Sequence, residues 1–306
     1  MSGVAAIVPA AGVGSRVGGR RNKLFLPLAG EPLLSHTLRT LQASAAVQWI
    51  AMAIRPEDQA QVDTLLRRCR ITKALPSVPG GASRAESVAS AFGGLPAGAK
   101  WVLIHDGARP CLTPALVSRL VSAAKRHGAV ACGLPASLTV KAADEDRWVR
   151  VTLDRERLWF VQTPQVFRWD WFSEALARAG LTKSVYQHDV RSRLKVGGSR
   201  GPLASNREPR TLNRAPRGLF DRRSKGRHWL NGHAARALER FSDDAALVEA
   251  AGFAVRMVQG DPLNIKVTTK EDFLLAEAVL QSRATRHVKT QKAKVSFERP
   301  VLERQF

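Results

Sequence analysis

Apolar and polar positions follow two different periods along the first 180 residues of this 306-residue chain. Short continuous apolar runs predict buried strands, and the segments between them carry apolar residues at helical spacing. The predicted strands are Val4–Pro9, Trp49–Ile54, Trp101–His105 and Ala129–Pro135. The predicted helices are Leu34–Leu41, Glu57–Arg68, Arg84–Phe92 and Pro114–Arg126. This alternation predicts an α/β fold with a doubly wound, mostly parallel Rossmann-like sheet, and a ligand site at the carboxyl ends of its strands.

The pattern changes after Pro135. Leu138–Ala142 and Val149–Leu153 flank a polar turn at 144–146, which predicts a β-hairpin. Such a hairpin is either an arm that projects from the body or a plain edge hairpin, and the local pattern fits both. Near the end of the chain, the predicted elements are a helix over Asp243–Ala251, a strand over Ala254–Val258 and a helix over Lys270–Leu280.

Positive charge is concentrated in two segments. The chain has a net charge of +22. Residues 181–240 contain 15 Lys and Arg against 4 Asp and Glu, and residues 281–306 contain 7 against 2. The stretch 191–233 is rich in Arg, Gly, Pro, Ser and Asn and has no apolar period, which is typical of disorder. We therefore predict one domain over 1–280, interrupted by a basic, largely disordered insertion at 181–240 and followed by a basic, frayed tail at 281–306.

Composition also bears on location. No apolar run approaches the ~20 residues that span a bilayer. The first apolar run lacks a basic leader and is broken by Pro9, so it predicts a strand and not a signal peptide. The three cysteines form no C-x-x-C pair, which is typical of a reducing compartment. These features predict a cytoplasmic protein without a membrane partner.

A glycine-rich turn directly follows the first predicted strand. It reads P-A-A-G-V-G-S-R over Pro9–Arg16, and Lys23 follows seven residues later. Small residues let backbone N–H groups approach phosphate oxygens. Val17 excludes a G-x-G-x-x-G dinucleotide fingerprint, and the lack of a G-K-[ST] sequence excludes a P-loop. The turn alone fits two interpretations, a clamp for a reacting phosphoryl group or an ordinary strand–loop turn with solvated bases.

Further motifs carry a family resemblance. The turn and K-L-F-L-P-L over Lys23–Leu28 resemble the opening of the sugar-nucleotide-type nucleotidyltransferases. The motifs G-G-A-S-R-A-E-S-V over Gly80–Val88 and H-D-G-A-R-P over His105–Pro110 resemble the 2-C-methyl-D-erythritol 4-phosphate cytidylyltransferases. Four shorter matches follow in that family's order: Asp154-Arg155, Thr163-Pro164-Gln165, Ser242–Ala245 and Asn264–Thr268. The matches span 4–280 except for the insertion.

The resemblance implies transfer of a cytidylyl group from CTP to 2-C-methyl-D-erythritol 4-phosphate, a step of non-mevalonate isoprenoid precursor synthesis. The implied catalytic residues are Arg16, Lys23, Arg155 and Lys266. The implied nucleotide-binding residues are Ala10, Ala11, Gly12, Gly14, Gly81, Arg84, Ser87 and Asp106. The implied acceptor-binding residues are Asp106, Arg109, Arg155, Thr163, Ser242 and Lys266. It also implies a homodimer through the 137–166 arm, with Arg155 and Thr163 reaching across the interface.

The chemistry of the reaction agrees with these residue types. In-line attack on the α-phosphorus needs two anions to be positioned and neutralised by Arg, Lys, backbone amides and Mg²⁺. Mg²⁺ usually keeps several waters and binds substrate phosphates. We therefore expect CTP to supply most ligands of the metal. Asp106 is the protein group expected to help hold it, and we expect no cluster of protein ligands. His105 is interpreted as a structural or pocket-lining residue.

Other functions stay open at this stage. A related enzyme that uses another polyol phosphate, such as ribitol 5-phosphate, would share nearly all these motifs. A function of a different class is nucleic-acid binding through the basic insertion, although no RNA-binding motif accompanies it. Ser242 stands where the family generally has Thr, and it keeps the hydroxyl. The insertion lies just before Ser242, and we expect it to loop outward and to leave the site intact.

Overall fold

The computed structural model describes residues 3–12, 22–182 and 241–297, with side chains described up to residue 285. Most of the predicted insertion and the last residues of the tail lie outside these ranges. The strands are β1 (Val4–Pro9), β2 (Pro27–Leu28), β3 (Glu31–Pro32), β4 (Trp49–Ile54), β5 (Val78–Pro79), β6 (Trp101–Ile104), β7 (Ala129–Pro135), β8 (Val140–Ala143), β9 (Val149–Leu153), β10 (Trp159–Arg168) and β11 (Arg256–Gln259). The α-helices are α1 (Leu33–Ala43), α2 (Gln59–Arg68), α3 (Arg84–Gly93), α4 (Pro114–His127), α5 (Trp169–Arg178), α6 (Asp244–Ala250) and α7 (Lys270–Phe297).

Seven strands form the central sheet in the order β11-β7-β10-β6-β1-β4-β5. β1 is parallel to both β4 and β6, whereas β10 runs antiparallel to its neighbours β6 and β7. Helices cover both faces of the sheet. Successive residues of β1 point to opposite faces, so they join two different cores. Ala6 and Val8 join the core with α1 and α4, and Ile7 joins the core with α3 and α5. The doubly wound, mostly parallel sheet is confirmed.

Several elements differ from the sequence prediction, and helix α5 and the two-residue strands β2, β3 and β5 were not predicted. β10 was not predicted, because the consecutive residues Gln162 to Gln165 interrupt its apolar pattern, and the pairing of β10 with β7 shifts register at that point. β11 begins two residues later than predicted. The prediction of a frayed tail is wrong for residues 281–297, because α7 continues to Phe297. This segment lacks Gly and Pro and is rich in Ala, Lys, Arg and Gln, which favour helix.

The predicted hairpin is present. β8 and β9 pair with each other in a sheet of their own. Large apolar side chains on and beside this hairpin are exposed: Leu138 by 73%, Trp148 by 72% and Phe160 by 52%. We call residues 137–166 the arm. Helix α4 also begins as expected, since the side chain of Thr113 accepts a hydrogen bond from Leu116 N at 3.3 Å.

None of the helices in the described part of the chain combines the length and the apolar content needed to cross a bilayer.

Candidate active site

A cavity opens where the strand order reverses. The chain runs from β1 outward to β4 and β5, and then returns to β6 on the other side of β1. The loops after β1 and β6 therefore diverge at the carboxyl edge of the sheet, where α/β proteins bind ligands. The cavity measures about 450 Å³. Its lining residues are Pro9, Ala10, Ala11, Gly12, Lys23, Leu24, Gly81, Ala82, Ser83, Arg84, Ser87, Asp106, Gly107, Ala108, Lys266 and Thr268.

The loop before α3 is held rigidly on one side of the cavity. The Ser83 hydroxyl accepts a hydrogen bond from Glu86 N at 3.1 Å, and the Glu86 carboxylate accepts one from Ser83 N at 3.3 Å. This capping box is visible in the sequence as Ser-x-x-Glu. The Ser87 hydroxyl accepts a hydrogen bond from Gly81 N at 3.1 Å. These bonds give the loop a fixed shape before any ligand binds.

The same loop packs closely against the end of β1. A Cβ atom at Gly80 would lie 2.2 Å from the Cβ of Ala11. Only glycine therefore allows the two loops to come together here. This contact brings the glycine-rich turn after β1 and the Gly80–Val88 motif to the same wall of the cavity.

Lys23 is positioned by a turn that is anchored to the end of β1. The Asn22 side-chain amide donates to Ala10 O at 3.1 Å and to an Asp58 carboxylate oxygen at 2.9 Å. Asp58 also pairs with Arg55 at 2.8 Å. Burial raises the pKa of Asp58, but the hydrogen bonds from Arg55 and Asn22 outweigh it and hold the pKa below its usual range. Lys23 Nζ donates to Val267 O at 2.8 Å, so this lysine links its turn to the segment that carries Lys266.

Asp106 is the anionic centre of the cavity. One carboxylate oxygen lies 3.1 Å from Arg84 Nη2, and the other lies 2.8 Å from Lys266 Nζ. Arg109 Nε lies 3.8 Å from the second oxygen. Burial raises the pKa of Asp106, but Arg84, Lys266 and Arg109 together hold it well below its usual range. The carboxylate is therefore charged at physiological pH, and it orders the cations around it.

Arg84 makes a second ion pair on its far side. Its Nη1 lies 2.8 Å from a carboxylate oxygen of Asp244, whose side chain is 1% exposed. Asp244 begins α6, directly after the Ser242-Asp243 pair. The N-terminus of α6 is itself fixed to β10, since Gln165 donates to Asp243 at 2.7 Å and accepts from Ala245 N at 2.9 Å. Asp244 was not singled out from the sequence, where it is one of two adjacent aspartates.

The structure separates the predicted site residues into three groups. Those that line the cavity are Ala10, Ala11, Gly12, Lys23, Gly81, Arg84, Ser87, Asp106 and Lys266. Arg109 and Thr163 lie behind it, 8% and 5% exposed. Arg155 and Ser242 are exposed and do not line it. Gly14 and Arg16 fall outside the described residues.

Thr163 differs from its implied placement across a dimer interface. It lies in β10 of its own chain, and its hydroxyl accepts a hydrogen bond from Asp106 N of the same chain at 3.1 Å. Its side chain is 5% exposed, because it packs within the central sheet of its own chain. Arg155 is different: it lies at the base of the arm, where it donates to Ser137 O at 3.0 Å and is exposed.

The cavity has the charge expected of a site for anions. Among the described residues that line it, Lys23, Arg84 and Lys266 are cations and Asp106 is the carboxylate. No cluster of three or more His, Cys, Asp or Glu side chains suited to a metal occurs in the described ranges. One carboxylate beside several cations fits a Mg²⁺ ion carried mainly by substrate phosphates, since such ions take one or two protein carboxylates.

Comparison with known proteins identifies relatives over most of the chain. The sequence profile of the 2-C-methyl-D-erythritol 4-phosphate cytidylyltransferase family matches residues 4–203 and 227–282. The unmatched residues 204–226 lie within the predicted insertion. The enzyme of that name from Pelotomaculum thermopropionicum is 36% identical over 94% of this chain and 98% of its own. The one from Trichormus variabilis is 32% identical over 90% and 97%.

A solved structure has the same fold. The crystal structure of 2-C-methyl-D-erythritol 4-phosphate cytidylyltransferase from Thermus thermophilus superposes with a TM-score of 0.58 at 28% identity. The superposition covers 91% of this chain and 99% of that one. The resemblance first drawn from short motifs therefore extends over the whole domain.

Proposed function

Because the chain belongs to the 2-C-methyl-D-erythritol 4-phosphate cytidylyltransferase family, we propose that it transfers the cytidylyl group of CTP to 2-C-methyl-D-erythritol 4-phosphate. Pyrophosphate is the second product, and the reaction is a step in isoprenoid precursor synthesis. The observation that carries the proposal is the cavity at the strand-order reversal, where the family's motifs meet. Asp106 lines this cavity together with the cations Lys23, Arg84 and Lys266.

The reaction requires positioning and charge neutralisation. An oxygen of the acceptor phosphate forms a bond to the α-phosphorus of CTP, and the bond from that phosphorus to the bridging oxygen of pyrophosphate breaks in line. Two anions must approach each other, so cations that are already in place lower the barrier. Lys23 and Lys266 reach the cavity from two separate segments and are well placed to neutralise the transferred phosphoryl group and the entering phosphate.

The nucleotide half of the site consists mainly of backbone. The loop after β1 and the capped N-terminus of α3 form one wall, where Gly81 and Ala82 leave room for a ligand to approach the main chain. We assign CTP to this wall. Mg²⁺ carried by its phosphates would neutralise charge on the leaving pyrophosphate, and Asp106 would be the lining carboxylate that helps to hold the ion.

We further propose that the acceptor half is completed by a second copy of the chain. The arm exposes Leu138, Trp148 and Phe160, which is unfavourable in a monomer and typical of a surface that another subunit covers. Arg155 lies at the base of this arm, exposed and outside its own cavity. We therefore place Arg155 in the partner's site of a two-fold dimer, in which the same arm surface of both chains forms the interface.

A cytoplasmic location is also part of the proposal. Cys69, Cys111 and Cys132 are all free thiols. Burial raises the pKa of Cys111 to about 11, so this thiol stays protonated. Thiols of this kind are typical of a reducing compartment.

The experiment that tests the function is an acceptor panel. Purified protein, CTP and Mg²⁺ are incubated with 2-C-methyl-D-erythritol 4-phosphate or with ribitol 5-phosphate, and the cytidyl diphosphate product is identified by mass spectrometry. The proposal predicts turnover of the first acceptor. Turnover of ribitol 5-phosphate alone would establish the second candidate in its place.

Nucleic-acid binding stays the alternative of another class, and it rests only on charge. The variant to compare lacks residues 204–226. We expect any affinity of the full chain for an oligonucleotide to be weak, insensitive to sequence and abolished by added salt. Sequence-selective binding at physiological salt, lost in the deletion variant, would support this alternative.

A further inference from the structure

A buried histidine and a buried hydroxyl lie directly behind Asp106. His105 follows β6 and is 0% exposed, and Thr163 lies at the irregularity in β10 and is 5% exposed. Thr163 Oγ1 is 3.1 Å from His105 Nδ1 and 3.1 Å from Asp106 N. His105 Nε2 is 3.3 Å from Arg109 O. The two side chains therefore contact two main-chain groups of the same short loop.

The chemistry of these groups fixes the direction of each hydrogen bond. A carbonyl oxygen only accepts, so His105 Nε2 must carry hydrogen and donate to Arg109 O. His105 is completely buried, which favours the neutral ring. In a neutral ring with hydrogen on Nε2, Nδ1 has a free lone pair. The Thr163 hydroxyl therefore donates to Nδ1 and accepts from Asp106 N.

The opposite tautomer would leave unfavourable contacts. With hydrogen on Nδ1, the lone pair of Nε2 would face the carbonyl oxygen of Arg109, which is also an acceptor. Thr163 Oγ1 would receive two hydrogens, from Asp106 N and His105 Nδ1, and its own hydrogen would need a new acceptor. A buried group without its partner costs roughly 1–3 kcal/mol. The first arrangement leaves no such contact within this group of atoms.

The loop that is held in this way carries the anionic centre of the cavity. The Asp106 carboxylate orders Arg84 and Lys266, as described above. Thr163 is also tied to the segment that carries Lys266, because Asn264 Nδ2 donates to Thr163 O at 2.7 Å. Arg109 Nη1 in turn donates to Asn264 O at 2.8 Å. A shift of Thr163 would therefore displace both Asp106 and Lys266.

We propose that Thr163 and His105 are positioning residues of the reaction, and that they act by holding the main chain of Asp106 and Arg109, without contact between Thr163 and the acceptor phosphate. The inference rests on the proposed function, since it names how that site is kept in place. It replaces the direct acceptor contact that the family resemblance implies for Thr163.

The first test compares two substitutions of similar size. Thr163→Val removes the hydroxyl and keeps the shape, whereas Thr163→Ser keeps the hydroxyl. We expect Thr163→Val to lower kcat at least tenfold, because small displacements at a reacting centre cost up to ~100-fold. Thr163→Ser should stay within about threefold of the wild type. Thr163→Val that raises only the KM for the acceptor, or that changes nothing, would overturn the inference.

A double substitution tests whether the pair acts as one unit. His105→Phe keeps an aromatic ring at this position and removes both nitrogens. If the two residues act through one chain of hydrogen bonds, the double variant should lose no more activity than the worse single variant, because contacting residues are not additive. Losses that multiply would show independent roles and contradict the inference.

A measurement on the wild type needs no Thr163 variant to fold. The two-bond ¹H–¹⁵N spectrum of labelled protein reports the tautomer of each of the 7 histidines, and the signal missing from His105→Phe identifies His105. We expect hydrogen on Nε2 and a bare Nδ1 at pH 7. Hydrogen on Nδ1 would overturn this inference and leave the proposed function unaffected. A wild type that turns over no acceptor would overturn the proposed function, and the inference with it.

Discussion

The ammonium group of Lys266 lies 2.8 Å from a carboxylate oxygen of Asp106, which joins two loops from distant parts of the chain. Val267 N donates to Ala108 O at 2.8 Å beside this pair, so side chain and main chain make the same junction. The other oxygen of Asp106 meets Arg84 from α3. One buried carboxylate thus determines where two cations of the cavity stand before substrate arrives.

Replacing this carboxylate should disable the site without unfolding the protein. Asp106→Asn keeps the volume and removes the charge that orders Arg84 and Lys266. We expect kcat/KM to fall about a hundredfold, the scale that misplaced groups cost. The matched control is Asp63→Asn on α2, where the aspartate bonds only Gln59 among the described contacts. Asp106→Asn activity within about twofold of the control would contradict this assignment.

The burial of His105 predicts a pH dependence of stability. Burial lowers the pKa of His105 from 6.5 to about 4. The unfolded chain therefore binds this proton at a higher pH than the folded chain does. The free energy of unfolding should decrease as the pH falls from about 6.5 to about 4, by ~3 kcal/mol at full extent. Above that window the histidine is neutral in both states, and its contribution is constant.

Urea unfolding at pH 7 and pH 5 measures this loss, with His105→Phe as the comparison. Carboxylates titrate in both proteins. The difference between the two losses in free energy of unfolding therefore isolates the contribution of His105. We expect the wild type to lose more stability than the variant over this interval. Equal losses would show that His105 titrates in the folded protein as it does in the unfolded chain.

The arm should control association. Trp148→Asp places a charge on a side chain that is 72% exposed. If a second subunit covers this surface, the variant should sediment as a monomer where the wild type sediments as a dimer, because an unpaired charge in an interface costs several kcal/mol. Leu274→Asp on α7 is the matched control, since Leu274 is 70% exposed and lies outside the arm. A monomeric wild type would refute the dimer.

A mixing experiment tests whether Arg155 acts in the partner's site. Arg155→Ala and Lys23→Ala should each be inactive alone. In a mixed dimer one cavity regains both an intact Lys23 and the partner's Arg155, so chains unfolded and refolded together should recover about a quarter of wild-type activity. Recovery should be absent if Arg155 serves its own cavity, because every cavity would then lack one of the two groups.

The sequence predicted the elements whose apolar patterns are unbroken. β1, β4 and β7 match their predicted bounds, because each is a continuous apolar run buried on both faces. β10 was missed because Gln162 and Gln165 face polar partners, Asp261 and Asp243, that only the fold brings near. The end of α7 was also missed, since a basic segment can be helical without an apolar face.

The site residues, like the strands, could be predicted only where a local pattern in the sequence marks them. Motifs located the cavity residues from Ala10 to Lys266, because most of the motifs lie just after a strand or just before a helix. The partners of these residues depend on tertiary contacts. The pairing of Arg84 with Asp244 and the bond from Asp106 N to Thr163 join residues far apart in sequence, and no local pattern specifies them. Family resemblance named Thr163 as an acceptor contact, and only the fold shows that its hydroxyl contacts His105 Nδ1 and Asp106 N.

The most direct test of the proposed reaction is pyrophosphate release from CTP and 2-C-methyl-D-erythritol 4-phosphate with Mg²⁺. Wild type, Lys23→Ala and Lys125→Ala are compared, since Lys125 is an exposed lysine on α4 outside the cavity. We predict release by the wild type and by Lys125→Ala, and a loss of about a hundredfold or more in Lys23→Ala. No release by folded wild-type protein, or equal release by all three, would contradict the account.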